Sequence, residues 1–350
     1  MLNQSKSPWT RTNATRNGTY SNSWKCSVYS SSFYLGVVYG KTELECNANG
    51  DAVLCGGNGP IAYDRSFWNI AKRREIHPSS DAMIADLTAQ AAPDKNPAIN
   101  TTWYSSALIL VTNATPSVQI AIVQNGVTRS TLTLHKELWK GVQLPTGVMP
   151  SLGRDGHIVI RNVENGREVE LYQLRFENGK WQATWGGIIW NVYYSDGVVE
   201  KINNELWGAT ATSLPLSPGL IKLSDLKAGA INHVQDISIQ NPSKEFISPA
   251  LRMDGIVTNN TGTIPYGQMF QFPEDTPINP NWTPFTKMSV IGGIKYGFIV
   301  RDRSANFTRY AEDLTPYQFP TDQYLPFTNG KFWWEIAREF PVSKLKAVKY

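Results

Sequence analysis

The sequence predicts an all-β fold with a few short helices: an antiparallel β-sandwich of jelly-roll type, preceded by an N-terminal arm. Short runs rich in β-branched residues follow one another, separated by Gly, Asn, Pro and Asp clusters. The regular alternation of strands with long helical patterns that marks a parallel α/β fold is missing. Charged residues make up 18% of the chain, below the usual ~25%. The surface is therefore carried by Asn, Ser, Thr, Gln and Tyr, a balance common in extracellular and virion β proteins.

Residues 1–66 form the arm. SSFYLGVVYG makes a strand, and TELEC with AVLC makes a hairpin around Asn49-Gly50. That hairpin would bring Cys46 and Cys55 together as a disulfide, with Cys26 left over; the alternative is three unlinked thiols. GGNGP at 56–60 is a linker signal. Residues 67–350 form the sandwich domain. Its first element is a helix beginning near Ser79 or Ser80, with Met83, Ile84, Leu87 and Ala91 at helical spacing. The strand candidates are SSALILVT, VQIAIVQ, STLTLH, HIVIRNV, EVELYQLRF, QATWGGII, VQDISIQ and YGFIVRD. LSDLKAG, 223–229, and TPFTKMSVIGGIKYG, 283–297, interrupt them as short helices.

Several function classes are excluded. Thirty-three basic and 29 acidic residues leave a net charge of +4, with no concentrated basic stripe for nucleic acid. No apolar run approaches the ~18 residues of a membrane span. No GxGxxG, P-loop or CxxC pattern occurs, so neither a cofactor nor a metal is expected. The polar start, MLNQSKSPWTRTNATRNGTYSNSW, has no signal-peptide h-region. A trimmed mature chain, or export without a signal as in a virion protein, is the expectation.

The most regular stretch is GRDGHIVIRNVENGREVELYQL, residues 153–174. Asn165-Gly166 is a strong hairpin turn signal. A turn there sets Arg161 opposite Glu170 and His157 opposite Leu174, and puts His157, Arg161, Glu170 and Tyr172 on one face. One reading is an Arg161–Glu170 cross-strand ion pair. The other is a polar concave face in which His157 is an acid or base, Arg161 or Tyr172 holds a carboxylate or hydroxyl, and Glu170 is a further ligand-binding residue.

A second cluster surrounds His233, with Arg252 and Asp254 downstream in PALRMDG. These residues either brace a loop or form one polar site, in which His233 and Asp254 transfer protons and Arg252 holds an anionic sugar. The chain contains 12 Trp. In WQATWGGIIW, Trp181, Trp185 and Trp190 either fill core or offer a platform for sugar rings, with Trp185 as the candidate contact.

From about Phe67 onward the order of motifs resembles an uncharacterised family of secreted bacterial β-rich proteins. The similar elements are HPSSDAMIA, DGHIVI followed by ELYQL, WGATATSLPLSPGLIKLSDLKAGAINHVQDISI, ALRMDG, IPYGQMFQF and IKYGFIVRDRS. The resemblance implies an extracellular setting and a β-rich fold, and carries no established activity.

Two functions follow as expectations. The first is an extracellular protein that binds or cleaves a polysaccharide or cell-surface glycan. The second is a structural or adsorption protein of a virion or cell-surface assembly, without catalysis. Self-association into a homo-oligomer is left open by both.

Overall fold

The computed structural model describes residues 62–254, 262–315 and 323–350, together with the backbone of three strands, β1 (Thr15–Arg16), β2 (Trp24–Ser30) and β3 (Phe33–Gly40), which form one antiparallel sheet. The proposed Cys46–Cys55 hairpin and the GGNGP linker lie outside the described residues.

The rest is mainly β with short helices. Two four-stranded sheets share one core. The first joins β5 (Ala107–Val111), β10 (Ile158–Asn162), β11 (Glu168–Tyr172) and β14 (Trp185–Ile189), in the order β14-β11-β10-β5. The second joins β7 (Ile120–Gln124), β8 (Val127–Thr128), β12 (Arg175–Glu177) and β13 (Lys180–Ala183), in the order β12-β13-β7-β8. Ile109, Ile120, Ile122, Ile160, Val169 and Ile188 meet between them. In β10 all five residues are buried, which explains why Ile158, Val159 and Ile160 are apolar in succession rather than in alternation.

Strands β6 (Ser117–Val118) and β9 (Val142–Gln143) form a separate antiparallel pair, and a six-stranded sheet completes the body. It contains β4 (Ala98–Asn100), β15 (Gln235–Ile239), β16 (Met269–Gln271), β17 (Phe298–Arg303), β18 (Thr308–Tyr310) and β19 (Lys346–Val348), in the order β19-β16-β17-β15-β18-β4. Helices α1 (Ser80–Gln90) and α4 (Pro284–Lys295) pack on it through Met83, Leu87 and Val290, against Ile237, Phe270 and Phe298. The α4 helix starts where Thr283 accepts a hydrogen bond from the Thr286 amide at 3.2 Å, with Pro284 in its first turn.

The sheets are mixed, where the sequence predicted antiparallel pairing throughout. Pairs β5–β10, β7–β13, β15–β17 and β4–β18 are parallel. Parallel partners need long crossovers, and the segments between these strands include them.

Two other expectations are corrected. STLTLH is not a strand: Thr133–Trp139 is helix α2. Its Leu134 and Leu138, four residues apart, are both buried, and His135 stacks on Trp139 at 5.4 Å. The 157–174 hairpin has the predicted strands but a different register. Arg161 pairs with Glu168 and Val159 with Glu170. Asn165-Gly166 belongs to a wider loop, closed by the Asn162 amide on the Arg167 carbonyl at 2.8 Å. The Asn162 side chain also accepts from the Glu164 and Asn165 amides at 3.0 and 3.3 Å. True two-residue turns form instead at Asn125-Gly126 and Asn178-Gly179, where both residues adopt positive φ.

Candidate functional site

A cavity of about 940 Å³ opens where the three larger sheets meet. From the first sheet come His157, just before β10, Tyr172 at the end of β11, and Trp185 at the start of β14. Gln124 reaches in from β7, while Arg301, Asp302 and Tyr310 come from β17 and β18. Two loops complete the wall, Ala209–Ala211 and the strip holding Arg252 and Asp254.

His157, Tyr172, Trp185, Arg252 and Asp254, singled out in the sequence, thus line one cavity. Two other candidates do not. Glu170 is fully buried and grips the loop behind the cavity, accepting from the Ala209 and Leu216 amides at 2.8 Å each. Burial pushes its carboxyl up to about 7, against the pull of those two amides. His233 is also elsewhere. Its Nδ1 lies 2.8 Å from the Val234 carbonyl and its Nε2 3.1 Å from the Asp225 carboxylate. Asp225 accepts from the Lys222 amide as well, at 2.8 Å. His233 therefore ties the entry of β15 to helix α3 (Leu223–Ala228). The expected single site containing His233, Arg252 and Asp254 is not what the chain builds.

The cavity residues are held rigidly. The Arg252 guanidinium donates through Nη2 to the Gly208 and Thr210 carbonyls, both at 2.8 Å, and lies 5.9 Å from the Trp185 ring. Arg301 pairs with Asp236 beneath the cavity floor, donates to the Leu216 carbonyl at 3.1 Å, and stacks 4.6 Å over Tyr310. Asp254 accepts from the Tyr266 hydroxyl at 2.6 Å. The His157 and Tyr172 rings lie 5.5 Å apart.

Electrostatics separate these groups. Burial, then the positive charge of Arg301, pushes His157 down to about 3, against a backbone hydrogen bond at Ala209. At neutral pH it is a neutral imidazole. Asp302 goes the other way. Burial lifts its carboxyl to about 6, aided by the neighbouring charge of Asp254 and opposed by Arg301 and by the amides of Arg303 and Ala211. Burial, with Asp155 and Asp302 nearby, holds the Tyr172 hydroxyl protonated above its usual range.

Four lining residues carry a buried polar atom without a hydrogen-bond partner among the described residues: His157 Nε2, Trp185 Nε1, Arg252 Nε and Arg301 Nε. Such atoms cost about 1–3 kcal/mol each and are few in native proteins.

Asp302 was missed by sequence reasoning. Its signal was present: FIVRD ends an apolar run in two opposite charges, where the strand leaves the core. Among the described residues no group of three or more His, Cys, Asp or Glu could hold a metal ion, and no helix is long and apolar enough to cross a membrane. Comparison of the chain with protein-family models, with curated proteins and with solved structures finds no match.

Proposed function

We propose that this protein is an extracellular carbohydrate-binding protein whose cavity is equipped for acid–base cleavage of a glycosidic bond. The observation that carries the reading is the cavity's lining: aromatic faces from Tyr104, Tyr172, Trp185 and Tyr310 interleaved with Asp155, Asp254, Asp302 and Arg252. Aromatic faces receive the C–H faces of sugars, and fixed polar groups select hydroxyls. The Asn- and Thr-rich composition and the resemblance to secreted bacterial β-rich proteins support the extracellular setting.

Glycoside hydrolysis uses two carboxyl groups in different protonation states. Asp302, raised to about 6, is the proton donor to the glycosidic oxygen as its bond to the anomeric carbon breaks. Asp254 is the carboxylate that activates the incoming water. A glycan array run beside a reducing-sugar assay tests the reading. The expected result is selective glycan binding that Tyr172→Ala weakens, and sugar release that Asp254→Asn removes while the melting temperature holds. No glycan bound and no sugar released overturns it. Self-assembly without glycan binding is the outcome expected of a structural or adsorption protein.

A further inference from the structure

A second cavity, of about 890 Å³, lies alongside the first. Thr184 lines both. Two chain segments form the partition, with neighbouring residues serving opposite sides. Asp155 and His157 line the first cavity, while Arg154 and Gly156 line the second. Likewise Tyr172 lines the first, and Gln173 and Leu174 the second. The wall between them is therefore one chain thick.

The charges of the two cavities differ. The first carries Arg252, Arg301 and Arg303 against Asp155, Asp254 and Asp302. The second carries Arg154 and Arg175, with no carboxylate among its described lining residues. The Arg175 guanidinium is fixed by the Gln173 carbonyl at 3.1 Å and by Thr184 and Gln182 at 3.3 Å each. Its contact with Glu177, also 3.3 Å, is a solvated pair of little strength. In the first cavity Arg252 is held by the Gly208 and Thr210 carbonyls and the Trp185 ring, whereas Arg301, itself buried, already has its charge met by Asp236. A fixed guanidinium N–H pairs best with an anionic oxygen, because the charge-assisted bond is about twice as strong as a neutral one.

We propose that the two cavities act as consecutive subsites for an acidic polysaccharide, with Arg252 receiving one anionic group of the chain and Arg154 and Arg175 the next. This rests on the carbohydrate reading above and names its substrate class. The anionic groups are carboxylates or sulfates on sugar rings.

Calorimetric titration of the full chain at pH 6 tests it. The probes are oligogalacturonides and carrageenan oligosaccharides as dimers and hexamers, the methyl-esterified and desulfated counterparts of each, and inorganic polyphosphate of matched charge. At least one charged series should bind about tenfold or more tighter than its neutral counterpart, and the series that does so identifies the anionic group. Its hexamer should bind tighter than its dimer. Arg154→Gln should weaken the hexamer severalfold and leave the dimer unchanged, whereas Arg252→Gln should weaken both. Neutral counterparts that bind as well as the charged ones overturn this proposal and leave the carbohydrate reading standing. No binding of any oligosaccharide overturns both. Polyphosphate binding as tightly as the acidic hexamer, or equal affinity for dimer and hexamer, also overturns the proposal.

Discussion

Arg161 and Glu168 face each other across the β10–β11 ladder, with Nε and Nη2 of the guanidinium both 2.7 Å from one carboxylate oxygen. Both side chains are buried. The same carboxylate accepts from the Tyr63 hydroxyl at 2.7 Å and the Ser217 hydroxyl at 2.8 Å. Removing one partner of such a pair strands a buried charge. Glu168→Gln is expected to cost about 3–5 kcal/mol of stability, measured by urea denaturation. A loss below ~1 kcal/mol would show that the network contributes little.

Glu170 gives a pH dependence of defined sign. Its carboxyl rises from an ordinary 4.5 to about 7 in the fold, so between those values the folded state holds a proton that the unfolded chain has lost. Its stabilising contribution is complete below 4.5 and fades as pH rises to about 7. Glu312, also raised to about 7 by burial, acts in the same direction. His157, held near 3, acts oppositely and favours the fold as pH rises toward 6.5. Glu170→Gln should lower stability at pH 5 more than at pH 8, flattening the profile of melting temperature against pH. An unchanged slope would remove Glu170 as its source.

The Thr283 cap is a local test. Its hydroxyl oxygen serves the Thr286 amide at the start of α4, and the residue is fully buried. Thr283→Ala should cost about 1–2 kcal/mol without changing glycan binding. A neutral result would mean that packing on the six-stranded sheet alone fixes this helix.

Sugar release from the cavity should rise as pH falls through about 6, following the protonated form of Asp302. Asp302→Asn should lose about 10²-fold or more in kcat and abolish that limb of the profile. A profile unaltered by the substitution would assign the proton to another group.

The packed body begins early. Tyr63 and Trp68 are buried, and Trp68 donates to the Gly197 carbonyl at 2.8 Å. A chain starting at Ala62 is expected to unfold cooperatively. Trp68→Ala in that chain should cost about 3–5 kcal/mol. Loss of soluble folded protein on removing residues 1–61 would place the boundary elsewhere.

Local signals in the sequence were strong where the chain makes its own decisions. The start of α4, the Gly229 stop of α3 and most strands follow from a cap, a breaker and apolar runs, and α1 from the helical spacing of Met83, Ile84 and Leu87. Partner choice was not local. The parallel β5–β10 and β15–β17 pairs depend on crossovers that no short window encodes. The 157–174 register is displaced because Asn162 folds its side chain into the loop, an interaction the Asn-Gly signal does not report. In α2 the alternation of TLTL mimicked a strand, although Leu134 and Leu138 stand one helical turn apart. The candidate site divided the same way. His157 and Tyr172 were linked by a hairpin, so their proximity was legible. His233 and Asp254 were joined only by shared chemistry, and tertiary packing sent His233 to Asp225 instead.

Because the cavity wall draws on two four-stranded sheets that share one core and on a six-stranded sheet built on another, an occupant touching His157, Trp185 and Asp302 together would act as a crosslink. It would fasten the first sheet to the six-stranded one at the seam between the two cores. Mass action stabilises whatever a ligand binds, and here that would be the junction rather than either core. Hydrogen exchange on binding should therefore slow most in Ala209–Ala211 and at the ends of β11 and β17, while amides deep in β10 and β15 change little.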